Sequence, residues 1–197
     1  SQKYEEAIYF DSRCTPAYLK YADIYKSANA GLAIEKLNQL KTLEPSNTAI
    51  DKKLAEIYYL KNDFSKAADA YSRFAMGPTA NEEDLVKYAF ALFLNHDFAK
   101  SLEVANMGLK KNPRHAAFNR LAMYNNTDLK RFEEALKAAD VFFNECDKAD
   151  YSYLDYMYYG HLLEELKKYD EAVGQYEKAV ELDPTKTDLY KNISSVY

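Results

Sequence analysis

Carboxylates, histidines and cysteines are the side chains of this sequence that could do chemistry. The carboxylates form local clusters such as Glu82–Glu83–Asp84 and Glu164–Glu165. General acid–base catalysis needs carboxylates in a dry cleft with shifted pKa values, whereas clusters like these are common on solvated helix faces. The histidines are far apart in the sequence and belong to no HExxH motif: His96, His115 and His161. We therefore predict no catalytic residue, no metal site and no cofactor.

Composition excludes several other classes of protein. The two cysteines, Cys14 and Cys146, are too few and too far apart for a disulfide framework, so we predict free thiols. The net charge is −5 and the charges are interspersed, which argues against binding to nucleic acid or to an anionic membrane surface. No apolar run approaches the ~18 residues of a membrane-spanning helix. With only 5 Gly and 5 Pro in 197 residues, the chain has little room for the turns of a β-sandwich or barrel.

A short motif recurs along the chain and predicts how these residues are positioned. An aromatic residue is followed three positions later by a small one, in four copies: Phe64 and Ala67, Phe98 and Ser101, Phe132 and Ala135, and Tyr169 and Ala172. The successive aromatic residues are 34, 34 and 37 positions apart. A fixed period in this range indicates a repeat protein.

A second motif precedes each aromatic residue by about ten positions. It reads large–x–x–large–small–x–x–large, and its six small residues are Ala22, Ala55, Ala89, Ala122, Gly160 and Ser194. Spacings of three and four place the large residues on one face of an α-helix, and the small residue marks a close approach of another helix. Each repeat is therefore predicted to be a helix–turn–helix hairpin.

These motifs resemble the tetratricopeptide repeat (TPR) family over nearly the whole chain. The best match is the repeat 153–186, with Tyr156, Tyr159, Gly160, Leu163, Ala172, Tyr176, Ala179 and Pro184 in the family's pattern. Four residues depart from that pattern: Asp51, Phe74, Asn125 and Phe142. The resemblance implies an all-α fold, a right-handed superhelical α-solenoid of antiparallel helix hairpins with about 12 helices.

The predicted organisation is one solenoid domain over residues 1–197. It consists of a partial repeat 1–14, complete repeats 15–47, 48–81, 82–114, 115–152 and 153–186, and a partial repeat 187–197. Because both ends align with half a repeat, we interpret the chain as a fragment of a longer, bacterial-type TPR array. Its composition, with much tyrosine and no tryptophan, is similar to that of bacterial cell-envelope TPR proteins, and the compartment stays open.

The resemblance also implies the function, a non-catalytic scaffold that binds a peptide or partner protein in a concave groove. In the family, this groove is lined by the first helix of each repeat. The positions predicted to line it are Lys52, Glu56, Tyr59, Val86, Phe90, Phe93, Asn119, Met123, Asn126, Met157 and His161. An apolar centre between charged ends is typical of a binding site. Phe90 and Phe93 have an alternative interpretation, packing against a neighbouring helix as part of the core.

Two other functions remain open on the sequence alone. The chain could self-associate through its ends, because Tyr190, Ile193 and Tyr197 form an apolar stripe on the last helix. It could also be the targeting module of an enzyme whose catalytic domain lies elsewhere. In every case the expected partner is a protein or peptide, with no nucleic acid and no membrane insertion.

Overall fold

The computed structural model describes residues 2–77, 79–146 and 150–196, and over this part of the chain every regular element is an α-helix. The twelve helices are α1 (Gln2–Phe10), α2 (Thr15–Ala28), α3 (Ala30–Leu43), α4 (Thr48–Leu60), α5 (Phe64–Phe74), α6 (Glu82–Leu94), α7 (Phe98–Lys111), α8 (Ala116–Asp128), α9 (Phe132–Asn144), α10 (Tyr153–Glu165), α11 (Tyr169–Leu182) and α12 (Asp188–Val196). The predicted all-α, TPR-like fold class is confirmed. Tyr197 of the predicted apolar stripe lies outside the described residues.

The chain divides into two compact units, which are described separately below. The N-terminal unit, Ser1–His96, contains α1 to α6, and the C-terminal unit, Asp97–Tyr197, contains α7 to α12. The boundary falls between the two helices of the predicted repeat 82–114. A single solenoid domain over the whole chain therefore stays a prediction.

The small residues of the repeat lie where helices pack most closely. Five of the six are buried: Ala22, Ala55, Ala89, Ala122 and Gly160. At Gly160, a Cβ atom would lie 2.6 Å from the ring of Tyr176, so the ring of the second helix rests directly on the backbone of the first. Ser194, the last of the series, is exposed. The small residue is thus buried in every complete repeat, and at Gly160 its size is explained by the contact with Tyr176.

The turn inside four of the repeats contains one residue with a left-handed backbone. These residues are Asn62, His96, Lys130 and Lys167, with φ between 58° and 60°. The spacing of these four residues is the same as that of the aromatic residues at the start of the second helices. The period of the aromatic residues therefore reflects a turn that recurs in each of these repeats. The residue after the turn caps the next helix in two of the repeats: Asp63 accepts from the backbone N–H of Lys66, and Asp97 accepts from that of Lys100.

The departures at Phe74 and Phe142 have a common structural cause. Phe142 is fully buried and Phe74 nearly so. A cation from the first helix of the same repeat lies over each ring. The Lys52 Nζ lies 4.9 Å from the Phe74 ring centre, and the Arg120 guanidinium lies 5.1 Å from that of Phe142. Both cations stand 22 residues before the ring that they cover. A cation over a ring is a favourable contact, so the large side chain is accommodated.

The same two cations also form ion pairs, each with a buried aspartate near the start of the first helix of the next repeat. Lys52 pairs with Asp84 at 2.8 Å, and Arg120 pairs with Asp155 at 2.7 Å. Each aspartate is the third residue of its helix and accepts a hydrogen bond from the backbone N–H just before the helix. Adjacent repeats are therefore joined by a cation that contacts an aromatic ring on one side and a carboxylate on the other.

Candidate functional site

The N-terminal unit contains a pocket of about 470 Å³ formed by three first helices and one second helix. Its lining residues are Lys26 on α2, Glu56, Tyr59 and Leu60 on α4, Tyr71 on α5, and Val86, Lys87 and Phe90 on α6. Four of the predicted groove residues are thus brought together here: Glu56, Tyr59, Val86 and Phe90. The helix spacing explains the grouping, because positions three and four apart share one helix face.

Aromatic rings shape the interior of the pocket. Tyr71 is 1% exposed and reaches the pocket from α5, behind the first helices. The Tyr59 ring packs edge-on against Phe64, with 5.5 Å between the ring centres. Phe90 is half-buried and is part of the lining, so its side chain is in contact with the protein and also open to a ligand. The two interpretations of Phe90 therefore do not exclude each other.

Two tyrosine hydroxyls in the pocket are free to bind a ligand. Among the described residues, neither Tyr59 nor Tyr71 forms a hydrogen bond through its hydroxyl. Burial raises the pKa of both phenols, and the negative charge of Glu56 adds to the effect at Tyr71. Both side chains are thus neutral donors at physiological pH, suited to a carbonyl oxygen of a partner.

The charged residues near the pocket are paired with one another. The Lys53 Nζ lies 2.8 Å from Asp23 and 3.0 Å from Glu56, and Lys87 pairs with Glu83 at 2.7 Å. Burial alone would raise the pKa of the Asp23 carboxyl, but the hydrogen bonds and charges of Lys53 and Lys26 together outweigh burial and hold the pKa below the ordinary value. Since these charges largely cancel, the pocket is suited to apolar groups with a few hydrogen bonds rather than to a charged ligand.

The other two predicted residues of this unit lie outside the pocket lining. Lys52 is engaged between Phe74 and Asp84, so it joins neighbouring repeats, and its place in a binding groove stays a prediction. Phe93 is half-buried on α6. Sequence reasoning missed Tyr71 as a pocket residue, because it belongs to a second helix, and it missed the bridging role of Lys53.

The C-terminal unit brings only some of its predicted residues together. Met123 is fully buried, so it cannot contact a partner and its prediction is corrected. Its neighbour Tyr124 stacks on Tyr158 of α10, with 4.1 Å between the ring centres. Met157 is half-buried against the cluster around Tyr176, and His161 is exposed.

Asn119 and Asn126 are the pair of predicted residues that this unit does bring together. Both are buried, and both lie in a groove between α7 and α9. The groove is therefore lined by second helices, unlike the predicted one. Within the described residues, no three histidine, cysteine or carboxylate side chains are placed to hold a metal ion. None of the helices in residues 2–77, 79–146 and 150–196 is long and apolar enough to cross a membrane.

Comparison with known proteins agrees with the repeat architecture. The family model for the tetratricopeptide repeat matches residues 153–186. No curated protein matches the chain in sequence. Similar solved structures include YrrB, described as a TPR protein with an unusual peptide-binding site, at 14% identity and a TM-score of 0.76, covering 95% of this chain and 96% of YrrB.

Two further structures show the same fold. MamA aligns at 17% identity with a TM-score of 0.70, covering 90% of this chain and 96% of MamA. PilF of Pseudomonas aeruginosa aligns at 12% identity with a TM-score of 0.72, covering 98% of this chain and 86% of PilF. Such repeats are generally non-catalytic modules for protein–protein interaction. Residues 153–186 match the tetratricopeptide repeat, and the chain shares its fold with these TPR structures.

Proposed function

We propose that the chain is a non-catalytic scaffold that binds a partner peptide, and that the pocket of the N-terminal unit accepts an apolar side chain of that peptide. The observation that carries the proposal is the convergence of Val86, Phe90 and Tyr59 on one pocket that is open to solvent. Apolar anchors filling such pockets contribute most of the affinity in many protein interfaces.

The size of the pocket supports a side chain as its occupant. A volume of about 470 Å³ falls within the ~300–1,000 Å³ of small-ligand sites, which leaves room for one large apolar side chain and its neighbouring backbone. The hydroxyls of Tyr59 and Tyr71 would donate to the carbonyls of that backbone. Burial of an apolar side chain would supply the affinity, at ~25 cal/mol for each Å² removed from water.

The paired charges around the pocket favour a partner that is apolar at its anchor and not strongly charged beside it. A carboxylate placed in the pocket would face Glu56, and Lys53 already contacts both Asp23 and Glu56. An ammonium group would gain little, because these carboxylates are already engaged. The expected ligand is thus a segment with one large aliphatic or aromatic residue between neutral neighbours.

Peptide selection with a matched pair of variants tests the proposal. Random linear peptides displayed on phage are panned on the whole chain, and enriched peptides are labelled and titrated by fluorescence anisotropy. Phe90→Ser removes a pocket wall, whereas Leu94→Ser changes an exposed residue one turn further along α6 that does not line the pocket. We expect Phe90→Ser to weaken binding by about tenfold or more, and Leu94→Ser to leave it unchanged.

Two results would overturn the proposal. One is that every enriched peptide binds the Phe90→Ser variant as well as it binds the unchanged chain, with equal helicity by circular dichroism. The other is that the enriched peptides lack an apolar residue whose replacement by alanine weakens binding. If Phe90→Ser lowers the melting temperature strongly, the smaller change Val86→Ala tests the same wall.

A further inference from the structure

The C-terminal unit contains a second groove, formed by different helices from those of the N-terminal pocket. It has a volume of about 350 Å³, with α8 as its floor and α7 and α9 as its walls. The floor presents Asn119, Ala122 and Asn126, and the apolar parts of the walls are Leu102, Leu109, Ala138 and Val141. Second helices line this groove, so a ligand here would approach the opposite face of the hairpins.

The floor of this groove contains two amide groups whose hydrogen-bonding capacity is not fully used within the described residues. Asn126 is 6% exposed, and among the described residues its side-chain amide forms no hydrogen bond. Asn119 is 4% exposed; its Nδ2 donates to the carbonyls of Pro113 at 2.9 Å and His115 at 3.2 Å and lies 3.7 Å from the Cys146 Sγ, while its Oδ1 accepts from no described residue. Among the described residues, the side-chain atoms that are both fully buried and unpartnered belong to His115 and Asn125, so the free groups of Asn119 and Asn126 open onto the groove and can bind a ligand there.

We propose that this groove binds an extended peptide segment, with the amide of Asn126 pairing with the peptide backbone. A side-chain amide offers both a donor and an acceptor, which match the N–H and C=O of one extended residue. A helical ligand would not use it, because its backbone groups are satisfied internally. Asn119 and Asn126 are seven residues apart on α8, about 10.5 Å, which corresponds to roughly three residues of extended chain.

The walls determine which side chains such a peptide carries. Leu102 and Ala138 face the floor from opposite sides and are themselves buried, so an apolar side chain would lie between them. The rim at α9 presents Arg131, just before the helix, and Glu134 and Lys137 on it, all exposed. None of the three forms an ion pair with another described residue, and cations outnumber carboxylates. The ligand is therefore an apolar residue flanked by acidic ones, which differs from the neutral ligand of the N-terminal pocket.

Selection of peptides on a chain with an altered N-terminal pocket tests this groove independently. Random linear peptides are panned on the whole chain carrying Phe90→Ser, so that the groove on α7 to α9 is the favoured site. Enriched peptides are then titrated by fluorescence anisotropy against the Asn126→Leu variant, whose side chain has a similar size and no amide. We expect sequences with an apolar residue next to Asp or Glu, and about tenfold weaker binding to Asn126→Leu.

Two further variants separate a local effect from a folding defect. Asn38→Leu changes an exposed asparagine on α3 of the N-terminal unit and should leave binding unchanged. Lys137→Glu changes an exposed rim residue that does not affect packing, and should weaken binding of the acidic peptides at low salt, with the difference fading at high salt. This second variant keeps the test decisive if Asn126→Leu melts early.

Two outcomes contradict the inference. Either no peptide is enriched on the Phe90→Ser chain, or the enriched peptides bind the Asn126→Leu and Lys137→Glu variants as tightly as the parent. Neither outcome bears on the N-terminal pocket, which is tested with the unchanged chain. Conversely, loss of the N-terminal pocket as a peptide site would leave this groove unaffected.

Discussion

Replacement of Gly108 by alanine is expected to destabilise the protein, although alanine is the better helix former. Gly108 lies in the last turn of α7, and a Cβ atom there would meet the ring of Phe118 on α8, closer than atoms of neighbouring side chains approach. Phe118 is fully buried, so its ring has no free space to move into. The alanine therefore forces either the Phe118 ring to move or α7 and α8 to separate.

The magnitude follows from two opposing contributions. Alanine gains up to ~1 kcal/mol over glycine from helix propensity. Overpacking in a tight core loses ~1–3 kcal/mol or more, and here three atoms of one ring are in conflict. The expected result is a net loss of about 1–2 kcal/mol, or roughly 2–8 °C in the melting temperature of a chain of this length.

Gly174 provides the matched control in the same unit. It lies inside α11, and a Cβ atom there would have no neighbour within 4 Å. Gly174→Ala should therefore raise the free energy of unfolding by up to ~1 kcal/mol. Urea denaturation followed by circular dichroism measures both variants, together with Gly108→Ala in a Phe118→Leu background, where the loss should shrink. Equal stabilisation by the two alanines would refute the close packing of Gly108 on Phe118.

Three further predictions concern turns and charges. Lys167→Gly should stabilise the chain by about 0.5–1 kcal/mol, and Asn62→Gly by less, because asparagine tolerates a left-handed backbone better than lysine does; urea midpoints compare the two. Asp155→Ala should cost about 3 kcal/mol or more in thermal unfolding, since it leaves the Arg120 guanidinium without its buried carboxylate. The pKa of Asp23 is lowered in the folded chain, so its ion pairs stabilise the fold at neutral pH, and this stabilisation is lost as the pH falls below the ordinary pKa of an aspartate. Asp23→Asn should therefore cost under ~1 kcal/mol of unfolding free energy at pH 7 and progressively less below pH ~4. Urea unfolding at a series of pH values measures the difference.

The repeat was predictable from sequence because its determinants are local and recur. The aromatic-to-small spacing and the small residues recur in each copy, and Gly160 against Tyr176 shows the kind of helix contact that such a small residue allows. The left-handed turn residues could not be predicted as a class, since asparagine, histidine and lysine share no side-chain property that favours that backbone. They adopt it because the helices on both sides fix the chain direction.

The candidate site was predictable only in part. The assignment of residues to one helix face grouped Glu56, Tyr59, Val86 and Phe90, and these four line one pocket. The grouping worked because the pocket lies between first helices of neighbouring repeats. Met123 occupies the corresponding position on α8 but is fully buried. What packs on a helix face depends on the side chains of the next repeat, such as Tyr158, which stacks on Tyr124 of α8, and the repeat pattern alone does not specify them.

The two departures from the family pattern at Phe74 and Phe142 show how a repeat can vary without loss of the fold. A phenylalanine in place of a small residue would crowd the contact with the next helix, yet both rings are buried beneath a cation. That cation would be costly to bury alone, and in each case an aspartate of the following helix neutralises it. The ring, the cation and the carboxylate therefore form one interacting group, and loss of any one of them leaves the other two without a favourable contact. It follows that a change at one of these three positions should be accompanied by changes at the other two.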